Sequence, residues 1–230
     1  MEVKNLSVKI GEQKILDNIS FTLEEGEFLG VIGPNGAGKT TLLKAILGLI
    51  DYEGEVKFKG DDIKKHLDKI SYVPQKFEFD KSIPITVEEF INLTRIKITK
   101  EEKEHVLKET GILKYLTHKL GEISGGELQR VLIAKAIMDK PLLLLMDEPI
   151  AGIDIEGEKR FVNIIEHLHK EHKISVILVS HELSIIHYLA QKILCLNKKM
   201  FCYGDIESSL TSETIKALYG EEFIYKPHKH

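Results

Sequence analysis

Tryptophan is absent from this sequence, and cysteine occurs only at positions 195 and 202. Two thiols do not make a disulfide framework, so a reducing compartment is the simpler expectation. Long apolar runs are missing too. The strongest, Leu142 to Met146, falls far short of the roughly 20 residues a membrane helix needs. The opening MEVKNLSVKI carries no apolar leader segment. Neither charge dominates. Lys and Arg total 32 against 36 Asp and Glu, a formal net charge of −4, so bulk charge gives nucleic-acid binding little support. There is no internal repeat and no low-complexity linker. What remains is 43% hydrophobic and 30% charged over 230 residues, enough for one good core with a subdomain.

Patterning then sets the elements. Glu2 to Ile10 alternates loosely and reads as a strand. FTLEEGEFLGVIG predicts strand, a turn at Gly26, and a buried strand over Phe28 to Ile32. KTTLLKAILGL predicts a helix ending near Gly48, followed by strands at EGEVKFKG and Lys69 to Val73. From Lys76 to Asp139 the chain reads mostly helical, with capping boxes at Thr86-x-x-Glu89 and Ser124-x-x-Glu127. Strand and helix alternate again afterwards: Leu142 to Met146, Gly157 to Lys170, Val176 to Val179, Glu182 to Ala190. A hairpin around Asn197 and one short helix after Ser212 close the chain. His167, His169 and His172 fall on a charged helical stretch and are expected to be solvated.

The stretch GPNGAGKTT, Gly33 to Thr41, stands between an apolar strand and a helix. Its Gly-x-x-x-x-Gly-Lys-Thr spacing is that of a phosphate loop. Glycines let the backbone fold tightly enough for successive N–H groups to point inward, and the helix start adds its own. Lys39 can reach the β- and γ-phosphates, and Thr40 can offer its hydroxyl to Mg²⁺. LLLLMDEP places Asp147 and Glu148 just beyond a buried strand. One acid on the metal and one on the nucleophile suits hydrolysis rather than transfer to a bound acceptor.

With Ile123-Ser124-Gly125-Gly126-Glu127, Gln75, Ala151-Gly152-Ile153-Asp154 and His181 in VSHE, these residues resemble the nucleotide-binding subunit of ATP-binding cassette (ABC) transporters over about Val3 to Tyr219. The resemblance implies an α/β fold: a P-loop NTPase core of ABC type with an antiparallel β subdomain and an inserted helical subdomain. It implies one domain over 1–230, with 1–75 and 140–230 as the core and 76–139 as the helical part. It also assigns roles. Gly33, Pro34, Asn35, Gly36, Ala37, Gly38, Lys39, Thr40 and Thr41 bind the phosphates of ATP. Thr40, Gln75 and Asp147 attend Mg²⁺. Glu148 is the base for water, and His181 contacts the γ-phosphate. Ser124, Gly125, Gly126 and Glu127 face ATP held by a second ATPase subunit in a head-to-tail dimer.

The same resemblance implies a polytopic permease docked near Phe77 to Ile85, a solute-binding protein in the full system, and a place on the cytoplasmic face of the membrane. Read from the residues alone, Phe77, Phe79, Ile83 and Ile85 form either a partner groove or a satellite core. KFEFDKSIPITVEEF with ISGGELQRVLIAKAI is most similar to importers of zinc or manganese. A soluble ABC-type ATPase acting as a scaffold or assembly factor is the rival reading. Ile10 stands where the family usually has an aromatic that stacks on adenine. Ile123, Ile150 and Glu182 also depart from the usual residues, without removing a reacting group. His228 and His230 are of metal-ligand type and are equally ordinary members of a polar end.

Overall fold

Burial alternates along β1 (Glu2–Ile10) and β2 (Gln13–Thr22), which pair antiparallel. Only the end of β2 is legible in the sequence pattern. In β1 the apolar spacing slips from Val3 to Leu6 because Asn5 adopts φ 50°, a bulge that returns both side chains to the core. β3 (Phe28–Ile32) is buried throughout and leads into α1 (Lys39–Ile46). Leu42, Leu43 and Ile46 of α1 are fully buried, each contributing roughly 2 kcal/mol. β4 (Glu53–Phe58) and β5 (Asp61–Asp62) follow, giving a sheet of order β2-β1-β4-β5. β6 (Ile70–Val73), α2 (Val87–Asn92), α3 (Lys100–Glu109), α4 (Gly125–Met138), β7 (Leu143–Asp147) and α5 (Ile155–His172) come next. β8 (Ser175–Val179), α6 (Leu183–Leu189), β9 (Lys192–Asn197), β10 (Lys199–Asp205), α7 (Ile206–Ser209) and α8 (Ser212–Tyr219) complete the chain.

The computed structural model describes residues 1–150 and 155–220. It divides into two units, Met1–Leu67 with Ser175–His230, and Asp68–Ile174. In the first unit, β8 and β9 flank β3 in parallel and β10 returns antiparallel on β9. A register shift between Met200 and Cys202 sets Cys202 opposite Cys195, and a disulfide joins them. The expectation of two separate thiols is therefore corrected: the hairpin itself brings them together.

In the second unit β6 and β7 pair in parallel, Ile70 beside Leu143 through Val73 beside Met146. Its helices gather on Val87, Ile91, Leu107, Ile112, Leu120, Val131, Ala134 and Met138. Each of α2, α3 and α4 starts with a complete capping box, on Thr86, Thr99 and Ser124. Helix content over 76–139 is lower than expected. Residues 76–86, 93–99 and 116–124 are irregular, where Pro84, Gly121 and the β-branched Ile96, Ile98 and Thr99 interrupt helical periodicity. The helical block lies inside this unit, which also includes β6, β7 and α5. On α5, Phe161, Ile164, Ile165 and Leu168 form the buried face that the spacing predicts.

Candidate functional site

In the first unit, the chain leaves β3 at Ile32, loops through Gly33 to Gly38 and enters α1 at Lys39. Gly38 caps α1 at φ 97°, a left-handed conformation natural to glycine, with no side-chain hydrogen bond. A Cβ there would lie 2.5 Å from Leu16 Cδ2, and one on Gly33 would lie 2.0 Å from the Leu196 carbonyl oxygen. Only glycine lets the loop settle this closely. The first turn of α1 carries no acid. The Lys39 ammonium, on a residue only 6% exposed, donates to the carbonyls of Gly33 at 2.8 Å and Pro34 at 3.1 Å. A buried cation folded into a loop at an uncapped helix start is built for an anion.

Two contacts that pattern reading missed hold the loop from behind. The Gly33 N–H donates to the Tyr219 hydroxyl at 3.0 Å, and the Lys198 N–H donates to the Ala37 carbonyl at 2.8 Å. Asn35 and Gly36 are exposed, Ala37 is buried, and Thr40 and Thr41 are half-buried. His181 is exposed just past β8, and the buried Ser180 hydroxyl accepts the Glu182 N–H at 3.0 Å. Ile10 is 60% exposed at the tip of the β1–β2 hairpin.

In the second unit, β7 delivers Asp147 at its end, only 2% exposed. The Tyr72 hydroxyl approaches Asp147 Oδ2 at 3.4 Å. Burial first, then the Asp147 charge, pushes the Tyr72 phenol above its ordinary range. Glu148 turns the chain off the strand at φ 47°, a conformation that costs a non-glycine residue about 1 kcal/mol or more. Its Oε2 accepts the Gln75 amide at 2.7 Å. The structure thus brings Gln75 to Glu148.

Ser124 is exposed at the start of α4. Its N–H donates to Glu127 Oε2 at 2.8 Å, while its hydroxyl accepts the Glu127 N–H at 3.4 Å. The Tyr115 hydroxyl, then the Ser124 N–H, bring the Glu127 carboxyl down to about 2. A Cβ on Gly125 or Gly126 would meet nothing within 4 Å. Ser124, Gly125 and Gly126 open onto a cleft of about 420 Å³ that Glu127, Arg130, Glu156 and Arg160 also line, the last two as an ion pair. Gln75, Gly125, Gly126 and Pro149 line another of about 330 Å³. Ala151 to Asp154, read as a D-loop, lie outside the described residues, as do His228 and His230.

Phe77, Phe79 and Ile85 are half-buried and pack on the helical core, with Phe77 5.5 Å from both Phe79 and Phe90 between ring centres. Ile83 is exposed. Among the described residues no helix is long and apolar enough to cross a membrane.

A glycine loop between a buried parallel strand and an uncapped helix, with a second strand that ends at Asp147 and is followed by Glu148, defines a P-loop NTPase. The family model described as ABC transporter matches residues 16–151, and the chain belongs to that family. It is 40% identical over 230 residues to a probable metal transport system ATP-binding protein of Thermotoga maritima, covering 98% of this chain and 92% of that one. It is 37% identical over 235 residues to the zinc import ATP-binding protein ZnuC of Wigglesworthia glossinidia brevipalpis, covering 100% and 98%. Among solved structures it is similar to a dimeric ATP-binding cassette in a post-hydrolysis state with ADP and phosphate. That match has TM-score 0.78 and 26% identity, covering 89% of this chain and 98% of the other. The ADP conformation of another ABC transporter cassette matches with TM-score 0.80 and 25% identity, covering 96% and 98%. The chain is an ATP-binding and ATP-hydrolysing ABC ATPase that uses ATP with Mg²⁺.

Proposed function

We propose that this ATPase drives import of a divalent metal ion such as zinc or manganese through a membrane permease, with a solute-binding protein in the full system. The observation that carries the energy-coupling part is the buried Lys39 ammonium inside an uncapped glycine loop. Similarity along the whole chain to metal and zinc import ATPases supports the cargo. On this reading the protein sits at the cytoplasmic face of the membrane. Its Phe77–Ile85 segment, where Phe77, Phe79 and Ile85 are half-buried and Ile83 is exposed, meets the permease.

The residues fit their groups. Loop N–H donors and Lys39 suit a triphosphate, and the Thr40 hydroxyl with the Asp147 carboxylate are hard oxygen donors suited to Mg²⁺. Mg²⁺ supplies neutralisation of phosphate charge when bound. Lys39 exchanges its loop carbonyls for phosphate oxygens and stabilises charge developing on them. Glu148 takes the proton of the attacking water as the water oxygen bonds to the γ-phosphorus and the bond to the ADP oxygen breaks. Gln75, bonded to Glu148, holds that carboxylate in place and reports on Mg²⁺. His181 contacts the γ-phosphate. Ser124, Gly125, Gly126 and Glu127 cover ATP held by a second copy in a head-to-tail dimer, their open glycines admitting close approach. Ile10 offers apolar contact to adenine.

Deleting the chain in its source cells and resupplying it tests the cargo. Radioactive zinc or manganese uptake is expected to return with wild type and to stay absent with Glu148→Gln. Uptake unaffected by the deletion would contradict the proposal.

A further inference from the structure

His105, Glu109 and His167, none of which serves the nucleotide site, converge on one point of the second unit. His105 and Glu109 lie four apart on α3, so they share a face of that helix. His167 comes from α5. Glu109 Oε1 receives both rings, at 3.1 Å from His105 Nε2 and 2.5 Å from His167 Nε2. One donor atom from each residue falls within 4.8 Å of the others. His167 is exposed, as expected, and α3 and α5 also bring it onto a carboxylate; His169 is instead half-buried, with Nδ1 3.1 Å from the Ile174 carbonyl.

Two explanations compete for this arrangement. Simple hydrogen bonding would place one imidazole on each carboxylate oxygen, since a carboxylate has acceptor capacity on both. Here both rings crowd Oε1, while the buried Oε2 of Glu109 has no hydrogen-bond partner among the described residues. Convergence of two imidazole nitrogens and a carboxylate oxygen is instead a coordination pattern. Tetrahedral zinc, with bonds of about 2.0–2.1 Å, needs donors roughly 3.3 Å apart; the 3.1 Å contact already fits, the 2.5 Å contact has to open, and all three donors lie within 4.8 Å, inside the reach of small side-chain adjustments. Imidazole donors select zinc-class ions over Mg²⁺, which prefers oxygen. Glu109 is 17% exposed, whereas His105 is 59% and His167 47% exposed, so an ion can enter from solvent and keep a water as fourth ligand. We infer that His105, Glu109 and His167 form a binding site for a zinc-class divalent cation that clamps α3 to α5. This inference does not rest on the proposed cargo.

Zinc chloride titrated calorimetrically into the full, nucleotide-free chain tests it, with millimolar Mg²⁺ present. One zinc per chain is expected in wild type and in His228→Ala/His230→Ala, which removes the tail histidines. His105→Ala and His167→Ala are exposed changes that leave the core alone. Each is expected to weaken zinc at least about tenfold, and Glu109→Gln likewise. Zinc should raise the thermal midpoint of wild type and not of the His105→Ala/His167→Ala double variant. X-ray absorption of the zinc-loaded chain should count two imidazoles. Absence of binding, displacement by Mg²⁺, or equal affinity in the double variant would overturn the site.

Discussion

Helix starts differ between the two units, and α1 differs most. In the second unit α2, α3 and α4 each close their first turn with a reciprocal threonine or serine and glutamate box. In the first, α1 starts on a left-handed Gly38 with neither side-chain cap nor acid. An unmade cap at an ordinary helix costs about 1 kcal/mol. The first unit also leaves α6 and α7 without a side-chain cap, but at α1 the open start rests on a left-handed glycine beside a buried lysine, in a loop backed by Tyr219 and Lys198. The second unit spends its side-chain polarity on structure. Arg95 donates its backbone N–H to Asp139 Oδ1 at 2.8 Å and its Nε to Oδ2 at 3.2 Å, and Lys135 reaches Oδ2 at 3.1 Å. A second nitrogen of Arg95 donates to the Ile70 carbonyl at 3.0 Å, tying the irregular 93–99 segment to β6.

The sharpest break of this contrast is Lys39→Ala. Removing the loop's cation is expected to lower ATP hydrolysis by on the order of 10²–10³-fold or more while the thermal midpoint stays near wild type, as steady-state kinetics with a melt will show. Glu148→Gln should slow turnover by about 10²–10⁴-fold and leave ATP binding intact, measured by single-turnover kinetics beside nucleotide titration.

Asp139→Asn should act the opposite way, destabilising the chain by about 1–3 kcal/mol in urea unfolding. Burial alone would raise the Asp139 carboxyl. The Arg95 backbone N–H, Lys135 and the Arg95 guanidinium outweigh burial and hold it below the ordinary carboxylate value. A depressed folded value means that the unfolded chain binds the proton more readily. The contribution is therefore complete above the ordinary Asp value of about 3.9 and is lost as pH falls below it through the folded value. Asp139→Asn should flatten that acid limb of stability. Tyr219→Phe is the smallest expected effect. It orphans the Gly33 N–H, costs about 1 kcal/mol, and should weaken ATP about fivefold with little change in turnover.

Legibility in the sequence follows the same division. β3, β7 and β8 were plain because strands buried on both faces read as continuous apolar runs. The phosphate loop and the acids at 147 and 148 were plain because their chemistry is local in sequence. Segments 76–86 and 93–99 were not. Their order comes from Phe77 meeting Phe90 edge-on and from Arg95 reaching Asp139, contacts that no local period encodes. Tyr219 lies 186 residues from Gly33, and Glu109 lies far from His167, so both pairings exist only once the chain is folded. The disulfide escaped for another reason: composition spoke for thiols, and the hairpin register joined them.

The central claim is that α1 leaves its amides open for a triphosphate in one copy, and that the exposed Ser124–Gly126 start of α4 in another copy closes over it. Light scattering of Glu148→Gln with ATP tests this most directly. The mass is expected to double on adding ATP and to remain that of a single chain when Ser124→Arg is added, while nucleotide still binds. A single-chain mass for Glu148→Gln with ATP, or a doubled mass that survives Ser124→Arg, would contradict it.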